Sequence, residues 1–406
     1  MATKTKRRGH GEGTVFFRED KQLWVCAVTI DGKRRTLYGK TRKEVQDKKA
    51  AIEASVIKGT YAEPAKVTVA TWMARWLETY CKPPMVEDTT AENYETVVRV
   101  HILPGLGEIP LQKLTTADVQ QWVNAKTVGG RADGKPGGMS PRMVHYMHFL
   151  LQRALEQARK DGLVARNVAQ DVILPKMSKK KKPIFLNPDE LDRFLDVAEG
   201  DRLFPAFYLE MGTGIRRGEL LGLKRSDLDL EKGTVTIRRQ LVKLKGGSVF
   251  HEHAKTEAGE RTIALPKDAV EVLRFHLRRL DNEKALCGPA YEDNDLVFCQ
   301  ENGRKINPRN FTRHFDKLLE KAGVRHIPFH GARHTHATEL LAAGVDLKTI
   351  QERLGHSSYR VTADLYAHIG EELQRDAAEK IDAVLTRRKR KADLQAGQRA
   401  RRGTGK

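Results

Sequence analysis

Apolar and polar positions alternate with the period of a β-strand from residue 13 to residue 38. Thr14-Val-Phe-Phe17 leads into a polar turn at Glu19-Asp20-Lys21. Leu23-Trp-Val-Cys-Ala-Val-Thr-Ile30 follows, then Asp31-Gly32, then Arg34-Arg-Thr-Leu-Tyr38. Asp-Gly readily adopts the positive φ of a tight hairpin turn, so three antiparallel strands are predicted. Thr41 then caps a helix running to about Val56, with Val45, Ala50 and Ile52 among its apolar positions. Together these elements make a compact sheet-plus-helix unit over residues 1–62, whose first eight residues form a basic, disordered arm.

A short linker around Pro64 separates this unit from residues 66–173, where the period changes to that of helices. Trp72, Trp76 and Leu77 share one face, and Val97, Val98, His101 and Ile102 share another. Asp118–Lys126 forms a third, short helix. Ser140-Pro141 combines a capping side chain with a proline at the first helical position. The helix it starts carries a stripe of Met143, Met147, Leu150, Leu151, Ala154, Leu155 and Ala158, read as core. Val128–Gly138, rich in Gly, Asp and Lys, is an exposed connector. An extended linker holds Lys179, Lys180, Lys181 and Lys182 between two prolines. Residues 184–385 are mainly helical, with strands at Val235–Arg239 and Thr262–Leu265. Residues 386–406 are a basic tail, disordered except where it meets a neighbour. The pattern therefore predicts a multidomain α+β chain: a small three-stranded sheet plus helix, a helical bundle, and a mostly α domain with a small sheet.

Charge narrows the choice of partner. With 73 Lys+Arg against 53 Asp+Glu, the chain carries a formal +20, and a polyanion is the simplest explanation. Arg18, Lys33, Arg34 and Arg35 on the N-terminal strands and Lys179–Lys182 in the linker are the candidate phosphate and groove contacts. The four cysteines are widely spaced, which argues for a reducing compartment and against a zinc or disulfide framework. No run of about 18 apolar residues occurs, and the basic N-terminus lacks the apolar core of a secretory signal.

Six residues in the C-terminal half carry the candidate chemistry, each in its own string. Arg216 stands in Thr213-Gly-Ile-Arg-Arg-Gly-Glu-Leu220, and Lys255 in His253-Ala-Lys-Thr256. His330 and Arg333 share His330-Gly-Ala-Arg-His334. His356 stands in Leu354-Gly-His356, and Tyr366 in Leu365-Tyr-Ala-His368. Taken singly these strings are unremarkable helix or core positions. Together they supply what phosphoryl transfer to a tyrosine needs: two guanidiniums to clamp a phosphate, two imidazoles, an ammonium acid and a phenol nucleophile.

In these strings, order and separations the chain resembles the tyrosine recombinases, or phage integrases. Residues 184–385 resemble the family's catalytic domain, the helical region its core-site-binding domain, and the N-terminal unit the arm-binding domain of mobile-element integrases. Ala332 stands where leucine is commoner, and Asn167-Val168 departs from a frequent Asn-Pro. The resemblance implies that Arg216 and Arg333 hold the scissile phosphate and that Tyr366 attacks it. His330 is then the general base, His356 a hydrogen-bond donor and Lys255 the acid for the leaving 5′-oxygen, with Glu219 orienting Arg216 or neighbouring backbone. The expected product is a 3′-phosphotyrosyl DNA, made without ATP, metal or other cofactor.

The implied partners are double-stranded DNA with core and arm sites, a homotetramer on that DNA, a host DNA-bending protein and an excision factor. The implied location is the cytoplasm of a bacterial host. The segment Glu371–Leu385, amphipathic by spacing, is a candidate for docking on a neighbouring protomer or on its own.

Other chemistries fit less well. A two-metal nuclease needs clustered carboxylates, and Asp227, Asp229 and Glu231 read as solvated loop acids. His251 and His253 lack an evident third ligand. Tyr359 reads as a packing residue rather than the nucleophile. A resolvase of the same family or a type IB topoisomerase would not need the N-terminal sheet, and a purely binding protein would not need Tyr366.

Overall fold

The computed structural model describes residues 15–30, 33–57, 67–131, 133–178, 184–252, 260–355, 378–379, 381–382 and 385–386. Two compact units divide the chain at residues 179 and 180.

In the first unit, β1 (Val15–Arg18), β2 (Leu23–Ile30) and β3 (Lys33–Gly39) form an antiparallel sheet in that order. Helix α1 (Arg42–Ile57) packs on it, and Thr41 Oγ1 accepts from the Glu44 amide at its start. Alternation sends Cys26, Val28 and Ile30 onto Val45 of the helix. The register pairs Phe16 with Val25 and Val25 with Tyr38, and Thr29 with Arg34. Arg34 and Tyr38 therefore lie on the face away from the helix, with Phe16 and Arg18. Arg35 pairs with Val28 and so belongs to the opposite face.

The helical region runs α2 (Val69–Tyr80), α3 (Asp88–Val97), a π turn at Val98–Ile102, α4 (Leu103–Leu106), α5 (Thr116–Val128) and α6 (Pro141–Lys160). Two of its three buried tryptophans tie distant segments together through their indole N–H groups. Trp72 donates to the Ala154 carbonyl at 2.8 Å, and Trp122 to the His101 carbonyl at 3.1 Å. Ser140 accepts from the Met143 amide, with Pro141 at the first position, as the sequence predicts for α6.

The second unit begins with α7 (Pro188–Ala198), α8 (Phe204–Thr213) and the short α9 (Arg217–Leu221). Five strands follow: β4 (Leu228–Asp229), β5 (Thr234–Ile237), β6 (Arg239–Leu244), β7 (Gly247–Glu252) and β8 (Arg261–Ala264). They form two small sheets, β4-β5-β8 and β6-β7. Then come α10 (Lys267–Cys287), α11 (Pro308–Lys321), α12 (Phe329–Ala342) and α13 (Leu347–Leu354). Helix α8 is apolar on nearly every side and lies buried, as such a pattern requires. Phe194, Phe207, Phe311, Phe315 and Phe329 stack and edge against one another at 5.1–6.1 Å, joining α7, α8, α11 and α12.

Two expectations change. The strand expected at Val235–Arg239 is broken at Arg238. That residue turns to Asp227 and Glu260, so β5 and β6 enter different sheets. Asp227 is not a solvated loop acid. It is buried, and it accepts from Arg238, Arg239 and the Lys224 amide. Among the described residues no helix is long and apolar enough to cross a membrane, and no group of three or more metal-ligating side chains occurs. Lys179–Lys182 and most of Glu371–Leu385 lie outside the described residues.

Candidate active site

The last turn of any helix leaves backbone carbonyls without helical partners, and its dipole makes that end attractive to cations. At the end of α13 three consecutive carbonyls each receive a different arginine. The Arg353 carbonyl accepts from Arg261 Nε at 3.1 Å. The Leu354 carbonyl accepts from Arg333 Nη2 at 2.7 Å, and the Gly355 carbonyl from Arg216 Nη2 at 2.7 Å. The three arginines come from β8, α12 and the N-cap of α9, so this helix end gathers distant strings into one place.

Two glycines permit the approach. Gly355 turns the chain out of the helix at φ 66°, in the left-handed region. A Cβ there would also lie 2.9 Å from the Arg261 guanidinium. Gly214, at φ 64°, closes α8, and its carbonyl accepts from Arg333 Nη1 at 2.7 Å. A Cβ at 214 would meet His336 and Leu354 at 2.7 Å. These contacts account for the glycines of the Thr-Gly-Ile-Arg and Leu-Gly-His strings.

Beneath the arginines lies Glu219, fully buried. Its Oε1 accepts from Arg216 Nη1 at 2.8 Å and Arg261 Nη1 at 3.1 Å. Its Oε2 accepts from the Arg216 amide at 2.9 Å and Arg261 Nη2 at 2.7 Å. Burial alone would push this carboxyl up. The pairing with Arg261 and Arg216 outweighs it and holds the pKa at about 2. Glu210, also buried, has one oxygen without a partner among the described residues, and burial raises its pKa well above the ordinary carboxyl value despite the nearby Arg333.

Arg333 is 1% exposed, and its Nε finds no acceptor among the described residues. Burial and then the neighbouring Arg216 bring its pKa down to about 10, so it remains charged at neutral pH. Arg216 is more open, with 41% of its side chain exposed. His330 is solvent-exposed on one side and stands edge-on to His334, ring centroids 4.9 Å apart. Desolvation, then His334, Arg333 and Arg216, lower its pKa to about 4. Its ring is neutral at pH 7 and can accept a proton. His336, on the same helix, is a packing residue: Nδ1 bonds the Met211 carbonyl, and Nε2 accepts from Arg353.

The structure thus brings together Arg216, His330 and Arg333 of the six predicted residues. Lys255, His356 and Tyr366, and also His253 and Tyr359, lie outside the described residues. Arg261 and Glu210 were absent from the sequence-level candidates. Arg261 opens an ordinary-looking strand, and Glu210 sits inside an apolar helix. The only signal was a charge within the buried run Phe204–Thr213, at Glu210.

Comparison with known proteins gives two matching family models. Residues 184–372 match the phage integrase family, and residues 68–127 match the phage integrase N-terminal SAM-like domain. A tyrosine recombinase XerC-like protein of Caldanaerobacter subterraneus subsp. tengcongensis is 28% identical over 92% of this chain and 99% of its own. The ICEBs1 integrase of Bacillus subtilis is 25% identical over 95% of this chain and 100% of its own. Among solved structures, the Tn1549 transposon integrase with a circular intermediate DNA aligns with a TM-score of 0.63 at 22% identity. The alignment covers 78% of this chain and 99% of that one. A lambda integrase dimer bound to a core site aligns at 0.52 and 19%, covering 89% and 96%. At these identities the structural likeness speaks for the fold.

Gly355→Ala places a Cβ both in the left-handed region and against Arg261. It is expected to destabilise the second unit by at least about 1–2 kcal/mol, judged from the left-handed penalty alone. Gly200→Ala, where a Cβ meets nothing, should stay within about 0.5 kcal/mol. Denaturant melts of the two variants check this, and equal midpoints would contradict it.

Proposed function

The chain belongs to the phage integrase family and is a site-specific integrase of a mobile element; we propose that it cuts and rejoins DNA through a phosphotyrosine formed on Tyr366. The observation that carries this reading is the meeting of Arg216, Arg333 and His330 at the end of α13. The Arg216 string and the shared His330–Arg333 string converge on the Leu354-Gly string, where a phosphate would need two cations and a neutral imidazole.

In this reading the scissile phosphate sits on Arg216, the open member of the pair. Arg333 lies behind it with its unpaired Nε as a remaining donor. Guanidinium suits the task because it stays charged and offers planar paired donors, and its attraction grows as charge builds on the phosphorane. The Tyr366 oxygen forms a bond to phosphorus while the bond to the 5′-oxygen breaks. The phenolic proton passes to His330, whose basicity rises once an anionic phosphate lies beside it. Lys255 gives a proton to the leaving 5′-oxygen, and His356 donates a hydrogen bond to a non-bridging oxygen. Attack by a partner strand's 5′-hydroxyl reverses the step, so the phosphodiester energy is retained and no nucleotide is consumed.

The outward sheet face, with Phe16, Arg18, Arg34 and Tyr38, suits contact with a second class of DNA site. Lys33 and Lys179–Lys182 complete the proposed DNA contacts, whereas Arg35, on the face that α1 covers, does not join them. The lambda integrase has been seen as a tetramer on a Holliday junction. A tetramer on paired sites is the corresponding proposal here, with a host bending protein and an excision factor as further partners.

Tyr366→Phe is expected to bind a duplex spanning the element–chromosome junction as the parent does, yet to form no covalent adduct on a denaturing gel. An adduct in that variant moves the nucleophile elsewhere, with Tyr359 first in line. Lys255→Ala tests the acid. It should cleave ordinary DNA about 10²–10⁴-fold slowly. It should recover towards the parent rate when sulfur replaces the 5′-bridging oxygen, because a thiolate leaves without a proton. Cleavage that stays slow on the sulfur substrate would make Lys255 a phosphate binder.

A further inference from the structure

Glu219 presents a problem of charge that the proposed clamp does not solve by itself. A buried carboxylate paired with Arg216 alone would fix that guanidinium but would also cancel its charge. A neutralised Arg216 has little attraction left for a phosphate. The site contains a second cation against the same carboxylate. Arg261 contacts both oxygens of Glu219 through Nη1 and Nη2, beside the two bonds from Arg216, so each carboxylate oxygen meets both arginines. Only 9% of the Arg261 side chain is exposed, so its charge reaches Glu219 with little screening. Its remaining Nε is committed to the Arg353 carbonyl, one residue before the carbonyl that receives Arg333.

We propose that Arg261 is a positioning residue that neutralises Glu219, leaving Arg216 held in place yet still positive toward the scissile phosphate. The proposal rests on the reading of Arg216 as a phosphate clamp. It assigns the two functions of Glu219 to two partners: geometry goes to Arg216 and charge balance to Arg261. Arg261 also ties β8 to the end of α13, so the strand that follows the Lys255 string and the helix that precedes His356 share one anchor. Among the described residues, Arg333 on α12 and Glu210 on α8 also lie near this carboxylate, and burial favours the protonated form of Glu210.

The test uses the full-length protein and a nicked duplex spanning the element–chromosome junction. Single-turnover adduct formation is measured beside binding by mobility shift. Parent protein that forms no adduct contradicts the phosphotyrosine reading itself, whereas active parent protein isolates the role of Arg261. Arg261→Met should form adduct about 100-fold slowly while its Kd changes less than about threefold. Glu219→Gln on the parent background should slow the reaction. The same change added to Arg261→Met should speed it about tenfold, since it removes the uncompensated charge.

That reversal of sign is not expected of a residue that only holds the fold together. Arg261→Met within about threefold of the parent rate, or a double variant no faster than Arg261→Met, overturns the proposal. If Arg261→Met does not fold, Arg261→Lys carries the test, because it keeps the charge and loses the paired geometry. A rate within about tenfold of the parent supports charge balance. A folded Arg261→Lys slowed about 100-fold or more overturns it.

Discussion

The end of α13 is the point on which the rest of the site depends. A helix C-terminus must give its last carbonyls to some donor. Here the donors are Arg261, Arg333 and Arg216, one on each of three successive carbonyls. An ordinary requirement of helix termination thereby fixes the relative positions of β8, α12 and α9. The left-handed turn at Gly355 lets the chain leave without blocking the guanidiniums.

Gathering like charges has a cost, and the structure meets it with an ionised acid among the arginines. Glu219 is held at a pKa of about 2 by its arginines against the pull of burial. Burial pushes the pKa of neighbouring Glu210 the other way, upward. Burial first, and the neighbouring charges after it, lower the pKa of Arg333 to about 10 and that of His330 to about 4. Desolvation and the nearby cations together leave the imidazole unprotonated, which is the state a general base requires.

Much of this was legible in the sequence, because the motif strings encode local needs. The glycines of Thr-Gly-Ile-Arg and Leu-Gly-His are required by positive φ, a local constraint, and also by close packing against His336, Leu354 and Arg261 from distant strings. The sheet-plus-helix unit was readable from alternation and the Thr41 cap, while the turn expected at Asp31-Gly32 lies outside the described residues. What alternation could not reveal was the break at Arg238, because it is caused by Asp227 and Glu260 across the fold. The β6-β7 hairpin did leave a signal, in the alternation around Gly246-Gly247, though the sequence reading ended its strand at Arg239. Arg261 was invisible for a different reason. Its role depends on a carboxylate 42 residues earlier and a carbonyl 92 residues later, and no local pattern records either.

In the proposed mechanism Arg216 and Arg333 act on one phosphate while Arg261 stays with Glu219. A crystal structure of the protein on junction DNA, with orthovanadate bridging the Tyr366 oxygen and the 5′-hydroxyl, tests it most directly. The account predicts vanadate oxygens within hydrogen-bonding distance of both Arg216 and Arg333, His330 beside the Tyr366 oxygen, and Arg261 still paired with Glu219. Vanadate held away from Arg333, or Arg261 swung from Glu219 onto the vanadate, would contradict it.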